Sequence, residues 1–270
     1  MNKRWLPPAT GGHGPGDVPV PGTQLLERAF RILRALSSRR SGWRLSELAD
    51  YCELHHATVH RILAALMREE MAARLPHTQH YTLGRLAFEF GVAAAPRHDW
   101  RAVGGPSLDR LAADTGDTAF LNIRSGHESV CVDRREGGYP LKALTVEVGA
   151  RRPLCVSAGG AAILARLPAD EAAAASAAST SYLARFSAER AAAMRRMVDT
   201  SRRLGYGYNG DMIIPGVSAV GVAVVDAAGR PVAALSVAAV TERLSGRRQR
   251  EVVALLRAEA AHTAARLPTL

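Results

Sequence analysis

Cysteine is scarce in this 270-residue chain: Cys52, Cys131 and Cys155 are the only three, and none belongs to a CxxC pair. Three scattered thiols exclude a disulfide-stapled scaffold and indicate buried structural cysteines in a reducing compartment. The chain also lacks an apolar run of about eighteen residues, which argues against a transmembrane helix and a membrane partner. Residues 1–22 lack the apolar core of a signal peptide and are rich in proline and glycine, so they predict a disordered tail on a cytoplasmic protein.

Lysine is scarcer still, since only Lys3 and Lys142 occur, and arginine therefore carries almost all of the net charge of +10. A basic protein attracts nucleic acid or another anionic surface. The charge is not concentrated, because residues 23–95 contain ten arginines and seven acidic residues, a net of +3. Composition is therefore compatible with DNA binding but does not locate it.

Three helices and a hairpin are predicted within residues 23–85. The first helix covers about residues 23–36, with Thr23 as its N-cap, and the second lies in "RLSELADYC", with Ser46 as its N-cap. The third lies in "LHHATVHRILAALMREEM", residues 54–71. The segment "MAARLPHTQHYTLG" has short apolar runs around a polar turn and predicts a two-stranded hairpin. This order of elements predicts a winged helix-turn-helix domain.

The third helix is amphipathic in an unusual way. Its apolar residues follow the i, i+3, i+4, i+7 spacing of one face: Val59, Ile62, Leu63 and Leu66. The opposite face is small or hydrogen-bonding: Ala57, His60, Arg61, Ala64 and Arg68. Such a thin surface fits a major groove about 12 Å wide, from which bulky side chains would hold the helix away. The alternative is an ordinary amphipathic helix with a solvated face.

Individual DNA contacts follow from the chemistry of this face and of the hairpin. Thr58 is predicted to bind phosphate or touch a thymine methyl, and Arg61 to bind guanine or phosphate. His55 and His56 lie at the positively polarised helix N-terminus, which favours phosphate. Arg68 near the helix end, and Arg74 and His77 in the hairpin, are predicted to bind the phosphate backbone of the DNA. The full predicted DNA-binding set is His55, His56, Ala57, Thr58, His60, Arg61, Arg68, Arg74 and His77.

The turn between the second and third helices supports the same motif with one departure. Ala49 is small where two crossing helices must approach, and Val59 and Ile62 are spaced to pack the third helix on the second. Glu53 occupies the turn position that usually holds glycine. If that position requires a positive φ, Glu53 costs about 1 kcal/mol.

A metal site was the main alternative for this segment. His56 and His60 have the i, i+4 spacing that can bind zinc, and Cys52 is near them in sequence. However, Ala57 replaces the glutamate of an HExxH motif, and no further ligand cluster follows. We therefore predict neither a metal site nor a cofactor.

The second half of the chain predicts an antiparallel α+β domain over residues 106–270. A linker helix over residues 86–105, broken near Pro96, precedes it. Strands are predicted on both sides of a turn near Gly126, in "LKALTVEVG", and in a hairpin that turns at "DAAGRP". Helices are predicted in "SLDRLAADTG", after "PLCVSAGG", in "SAERAAAMRRMVDTSRRL" between Ser187 and Gly205, and from about residue 246 to 266. The sequence leaves open whether the alanine-rich segment "DEAAAASAASTSYL" is ordered or disordered.

Over residues 25–262 the chain resembles the IclR family of bacterial transcription regulators. The resemblance rests on "LLERAFRILRAL", "LSELADYCELHHATVHRILAALM", "YTLGRLAFEFG", "VCVDRREG", "RRPLCVSAGGAAILA" and "RRLGYGYNGDMIIPGVSAVGVAVVDAAGRPVAALSVAA". It implies a winged helix-turn-helix domain joined to a GAF- or profilin-like effector-binding domain. It also implies a dimer or tetramer that binds double-stranded operator DNA and represses or activates in response to a small organic effector.

The resemblance also implies an effector pocket, which can be carried over position by position. Gly159, Gly160 and Ala161 match a loop-to-helix segment whose amides receive a small acid, and glycines before a helix suit that chemistry. The other matching positions are Asp211, Ala219, Ser236 and Ala238. Ala219 and Ala238 replace polar residues of many members, which favours a carboxylate with an apolar, possibly aromatic, body. Alternatively, the glycines only permit a tight turn, Ser236 is a plain strand residue, and Asp211 caps a loop.

Two other functions were weighed. An enzyme would need a base near Ser157 or Cys155, but His127 and His262 lie in no motif with them, and GxSxG and P-loop patterns are absent. We therefore predict no enzymatic activity. A purely architectural DNA-binding protein would not need the long second domain with its glycine-bearing loop.

Overall fold

The computed structural model describes residues 22–39, 41–184 and 186–267, without the side chains of residues 96–98. Most of the predicted disordered tail, residues 1–21, therefore lies outside the described residues. The chain divides into two compact units between Asp99 and Trp100. No helix among the described residues is long and apolar enough to cross a membrane.

The N-terminal unit contains the three predicted helices and the predicted hairpin. Its elements are α1 (Gln24–Ser37), α2 (Leu45–Cys52), α3 (His56–Arg68), β1 (Ala72–Arg74), β2 (Tyr81–Leu83) and α4 (Arg85–His98). The hairpin is antiparallel, with Ala73 opposite Thr82. The Ser46 N-cap prediction was wrong, because Arg44 occupies that position and Ser46 lies inside α2. Thr23 holds the N-cap position of α1, but its hydroxyl donates to the Glu27 carboxylate rather than capping the helix.

Trp43 ties the helices of this unit to the hairpin. Its ring is buried and its Nε1 donates to the carbonyl oxygen of Ala35 in α1 at 2.8 Å. Its backbone exchanges two hydrogen bonds with Tyr81, so it extends the β1–β2 hairpin by one bridge. The predicted apolar face of α3 enters the same core, with Val59, Ile62 and Leu63 buried and Leu66 partly buried.

Glu53 has the left-handed backbone conformation that its position in the turn required. Its φ is +53°, and its amide donates back to Asp50 while the next amide donates to Ala49. Ala49 is buried, as the close approach of α2 and α3 predicted. Because a non-glycine residue pays for positive φ, this turn stores about 1 kcal/mol of strain.

The C-terminal unit is built on one antiparallel sheet. Its strands are β3 (Thr118–Ser125), β4 (Glu128–Glu136), β5 (Arg151–Pro153), β6 (Gly207–Ile214), β7 (Val217–Val225) and β8 (Pro231–Val240), in the spatial order β5-β4-β3-β8-β7-β6. Its helices are α5 (Trp100–Thr115), α6 (Ala158–Ala165), α7 (Ala169–Ala178), α8 (Thr180–Leu183), α9 (Ala188–Leu204) and α10 (Gly246–Ala264), with 3-10 turns at Leu154–Val156 and Thr241–Arg243. The predicted α+β class is confirmed.

Because side chains alternate along each strand, the two faces of this sheet pack against different helices. On β8, Leu235 and Val237 point into a core shared with α5 and α10. Between them Ser236 points to the other face, where α6 and α9 pack. The turns near Gly126 and "DAAGRP" are confirmed, as are the Ser187 and Gly205 caps of α9. All three cysteines are buried, and burial raises the pKa of Cys52 and Cys131 to about 12.

The predicted linker helix is two helices in the structure. α4 continues past position 96 to His98, Asp99 separates it from α5, and α5 runs through the Gly104–Gly105 pair. Gly104 permits close packing rather than a break, because a Cβ there would lie 2.6 Å from Leu121 Cδ2, whereas a Cβ at Gly105 would meet only Arg135 Nη2, at 3.8 Å. Pro106 cannot donate to the Ala102 carbonyl, and Arg266 Nη2 donates to that carbonyl instead, at 3.2 Å.

The strand predicted in "LKALTVEVG" was wrong. Residues 142–147 have no regular secondary structure, and β5 pairs with β4 instead. Arginine side chains bind the carbonyls of this segment, with Arg152 Nη2 at 2.7 Å from Thr145 O and Arg134 Nη1 at 3.3 Å from Val146 O. These bonds satisfy backbone groups that a strand would have paired along a ladder.

Candidate nucleic-acid interface and ligand pocket

The outward face of α3 is open to solvent, as its composition predicted. His56, Ala57, His60 and Arg61 are exposed, and Thr58 is partly buried. The apolar residues on the other side hold the helix against α1 and α2, so this face projects from a fixed support. Its outer surface is therefore narrow and hydrogen-bonding, which suits entry into a major groove.

The N-terminus of α3 offers unused backbone donors. His55 occupies the N-cap position in an extended conformation, with no side-chain bond to the helix. Its carbonyl accepts from the amides of Thr58 and Val59, whereas the amides of His56 and Ala57 precede these bonds. Two amides with two exposed imidazoles at a helix N-terminus form a favourable position for a phosphate.

The β1–β2 hairpin supplies a second cationic position. Arg74 is exposed, and its Nη2 donates to Gln79 Oε1 at 2.6 Å across the hairpin. His77 is exposed in the turn, and Arg68 at the end of α3 pairs with Glu69 at 3.2 Å. Arg68 is therefore already partly neutralised, whereas Arg61 forms no ion pair with the described residues. The assignment of all nine residues to DNA remains a prediction.

The described residues contain no group of three or more His, Cys, Asp and Glu side chains placed to hold a metal ion. In the C-terminal unit, the two candidate nucleophiles, Ser157 and Cys155, both have structural surroundings that disfavour catalysis. Ser157 Oγ accepts from the Gly160 amide at 3.0 Å as the N-cap of α6. Cys155 is buried, and desolvation raises the pKa of its thiol, which disfavours the reactive thiolate.

A cavity lies on the sheet face opposite α5 and α10. It is partly enclosed and partly open to solvent. Its polar lining consists of Asn122, Thr145, Arg152, Ser157, Asn209 and Ser236. Its apolar lining consists of Phe120, Val146, Val156, Ala158, Ile213, Ile214, Val217, Ala219 and Ala238. Ser236, Ala219 and Ala238 thus come together as predicted, and the two alanines present only methyl groups.

The predicted carboxylate-binding amides need correction. The Gly160 amide is bound by Ser157 Oγ and the Ala161 amide donates to Ser157 O at 2.7 Å, so neither is available to a ligand. A Cβ at Gly160 would lie 2.5 Å from Leu154 O, which shows that this glycine permits the 3-10 turn to approach α6. Gly159 faces the pocket side, because a Cβ there would lie 3.0 Å from Asn122 Nδ2 and 3.5 Å from Ser236 Oγ.

The predicted ligand contact of Asp211 also needs correction. Asp211 is exposed, has a φ of +68°, and is absent from the cavity lining. Its Oδ1 accepts from the Gly216 amide across the turn between β6 and β7. The loop-cap alternative therefore describes this side chain, and Asn209 is the polar residue of β6 that lines the pocket, beside Ile213 and Ile214.

Arg152 is the charged pocket residue that sequence reasoning missed, besides the polar residues Asn122, Thr145 and Asn209. Its side chain is buried and lines the cavity beside Thr145, whose carbonyl it binds. Desolvation lowers the pKa of its guanidinium below the ordinary value. The sequence offered a signal in the pair "RR" before "PLCVSAGG", because neighbouring strand residues face opposite sides and one of two adjacent arginines must face inward.

Comparison with known proteins gives consistent matches. The family model described as bacterial transcriptional regulator IclR C-terminal matches residues 92–265, and the IclR helix-turn-helix domain model matches residues 25–76. The HTH-type transcriptional repressor AllR of Klebsiella pneumoniae is 29% identical over 227 residues, which cover 83% of this chain and 82% of AllR. An IclR transcriptional regulator from Alicyclobacillus acidocaldarius matches with 25% identity and a TM-score of 0.69, over 93% and 100% of the two chains.

A further solved structure shares the fold at lower identity. It is an IclR homologue from Microbacterium hydrocarbonoxydans complexed with 4-hydroxybenzoate. Its identity is 19% and its TM-score 0.67, and the match covers 90% of this chain and 99% of that one.

Proposed function

The chain belongs to the IclR family of bacterial transcriptional regulators, and from this premise we propose how it works. Its N-terminal unit binds double-stranded operator DNA through the outward face of α3 and the β1–β2 hairpin. Its C-terminal unit binds a small organic acid that alters DNA binding. The protein acts in the cytoplasm as a dimer or tetramer, and none of these steps requires enzymatic activity.

The exposed, narrow face of α3 is the observation that carries this proposal. Ala57 and Ala64 are exposed and carry no atoms beyond Cβ, so the helix axis can approach the base edges closely. Arg61 lies between them on the same face with no ion pair among the described residues. A purely architectural protein would not need this readout together with a separate, partly apolar cavity.

The direct test is binding to the intergenic DNA that flanks the gene. We expect a retarded complex at nanomolar protein in physiological salt, with affinity that falls as salt rises. We expect at least one organic acid to change this affinity. Equal affinity for the flanking DNA and for unrelated DNA of the same length would contradict the proposed function.

The effector proposed for the cavity is a carboxylate with an apolar body, either aromatic or aliphatic. Nine of the fifteen lining residues are apolar, and Ala219 and Ala238 offer no hydrogen bonds where a very polar acid would need them. The aromatic acid in the Microbacterium homologue supports this class. Asn122, Asn209 and Ser236 can bind a second polar group of the ligand.

Self-association is supported by exposed apolar side chains on α1 and α4. Six of them are between 48% and 72% exposed: Leu25, Leu26, Phe30, Phe88, Phe90 and Val92. Large apolar side chains left exposed on these two helices support an interaction surface. The proposed occupant is a second copy of the chain, because one helix-turn-helix recognises only a few base pairs and a footprint with an inverted repeat needs two.

Replacing Phe88 with glutamate should convert the dimer to a monomer at micromolar concentration, because a buried charge would replace an aromatic anchor. Light scattering measures the mass, and DNA binding should weaken in parallel. Leu141→Glu is the matched control, since Leu141 is similarly exposed, at 61%, but lies in the other unit. A Phe88→Glu protein with the wild-type mass and wild-type operator affinity would refute this interface.

A further inference from the structure

Arg152 is a buried cation without a carboxylate partner. Only 9% of its surface is exposed, and no described Asp or Glu forms an ion pair with it. One of its five N–H groups donates to Thr145 O. A guanidinium remains charged in a protein, so its removal from water is costly unless an anion compensates.

The neighbouring Arg151 shows what a structural arginine looks like at this strand. It faces the other side of β5, where its Nε lies 3.0 Å from Glu128 Oε2 and its Nη2 lies 2.9 Å from Ser125 Oγ. Both arginines are largely buried, but only Arg151 has a carboxylate. The missing partner of Arg152 is therefore specific to the side that faces the cavity.

The rest of the cavity suits an anion at the same place. None of its fifteen lining residues is Asp or Glu. Ser157 and Ala158 line it at the N-terminus of α6, where the amides of Ala158 and Gly159 precede the first intrahelical bonds. A helix N-terminus carries partial positive charge, so it adds to the charge of Arg152 rather than compensating it.

We propose that Arg152 is the receptor for the carboxylate of the effector, an assignment that rests on the proposed ligand-responsive function. The ligand is a monocarboxylic acid whose anionic end binds the guanidinium, with support from the α6 N-terminus. Its apolar body lies against Phe120, Ile213 and the methyl groups of Ala219 and Ala238. This places the carboxylate at a side chain, and not at the Gly160 and Ala161 amides.

In the ligand-free protein, an anion receptor and a structural arginine affect the stability of the fold differently. A purely structural arginine stabilises the fold, so its replacement by methionine lowers stability. A buried anion receptor without its ligand is an uncompensated charge, and an apolar side chain of similar length removes that cost, which exceeds the cost of losing the one hydrogen bond to Thr145 O. Arg152→Met should therefore unfold at the same or a higher urea concentration than wild type when no ligand is present.

The experiment compares the full-length wild type, Arg152→Met and Arg151→Met. Urea unfolding without ligand comes first, followed by thermal shifts and titrations with benzoate, 4-hydroxybenzoate, phenylacetate and pyruvate, each beside its primary amide. We expect an acid, but not its amide, to stabilise the wild type. Arg152→Met should weaken binding of that acid about 10- to 100-fold, as the loss of a charge-assisted hydrogen bond predicts. Arg151→Met should unfold earlier yet keep the preference for the acid.

Each other result would overturn the assignment. An Arg152→Met protein that unfolds at lower urea than wild type would show a structural arginine. Acids and amides that act equally on the wild type, or a panel in which no acid acts, would show that no carboxylate receptor is present. Operator binding by the ligand-free wild type separates this failure from failure of the proposed DNA-binding function, because that function fails only if the wild type does not bind its DNA specifically.

Discussion

Arg61→Ala should bind the operator about 5- to 150-fold more weakly than wild type, equivalent to about 1–3 kcal/mol. This is the value expected for one bidentate contact between a guanidinium and a guanine. Affinity for unrelated DNA should fall much less, so the ratio of specific to non-specific binding should shrink. Gel retardation on both DNAs at one salt concentration measures the effect.

We expect the Arg61→Ala substitution to leave the stability of the protein nearly unchanged. Arg61 is exposed, forms no ion pair with the described residues, and lies off the Val59–Ile62–Leu63 stripe that enters the core. Alanine also favours the helical conformation at least as well as arginine. The urea unfolding curve should therefore match that of wild type within about 0.5 kcal/mol.

Arg74→Ala is the matched comparison for a backbone contact. Arg74 lies in the hairpin and binds Gln79, so we expect its loss to weaken all DNAs alike and to reduce the salt dependence by about one counterion. If Arg61→Ala behaves in the same way as Arg74→Ala, Arg61 binds phosphate and not a base. Wild-type operator affinity in a correctly folded Arg61→Ala protein would remove Arg61 from the interface altogether.

The N-terminal unit was largely predictable from sequence because its determinants are local. Helical spacing gave the buried face of α3, and the polar turn gave the hairpin. Even the strain at Glu53 could be anticipated from a turn position that usually holds glycine. The N-cap of α2 was missed because Arg44 caps it by backbone conformation alone, with no side-chain hydrogen bond that composition could signal.

The C-terminal unit was less predictable because its decisive contacts are between distant segments. "LKALTVEVG" alternates like a strand, but the edge of β4 is taken by β5. Gly104 and Gly105 suggest a break, yet α5 runs through both, and Gly104 permits its close approach to Leu121. Strand pairing and helix packing of this kind depend on contacts between segments far apart in the sequence, which local patterns do not predict.

The candidate pocket shows the same limit at the level of single residues. Ser236, Ala219 and Ala238 were carried over from the family resemblance, and they line the cavity because strand alternation puts them on the same face of the sheet. Asp211 was placed wrongly because its carboxylate caps its own turn, and Arg152 was not predicted at all because its position beside Thr145 depends on the fold. Among the described residues no Asp or Glu pairs with Arg152, a property of the fold that no local sequence pattern contains.

Gly207→Ala should destabilise the C-terminal unit by about 3 kcal/mol, an overpacking effect at the upper end of the usual range. A Cβ at Gly207 would overlap Ala158 O and lie 2.8 Å from Ala158 C and 2.9 Å from Ala162 N. These are backbone atoms of α6, so no side chain can rotate away and α6 must move from the sheet. Because Ala158 lines the cavity, the thermal response to effector acids should be lost together with stability.

Gly138→Ala is the control, since nothing lies within 4 Å of a Cβ there, and it should unfold as wild type does. Unfolding of the C-terminal unit is followed by urea titration, and operator binding by the separate N-terminal core should persist below the transition. A Gly207→Ala protein with wild-type stability and a wild-type response to acids would show that α6 is not held against β6 at this glycine.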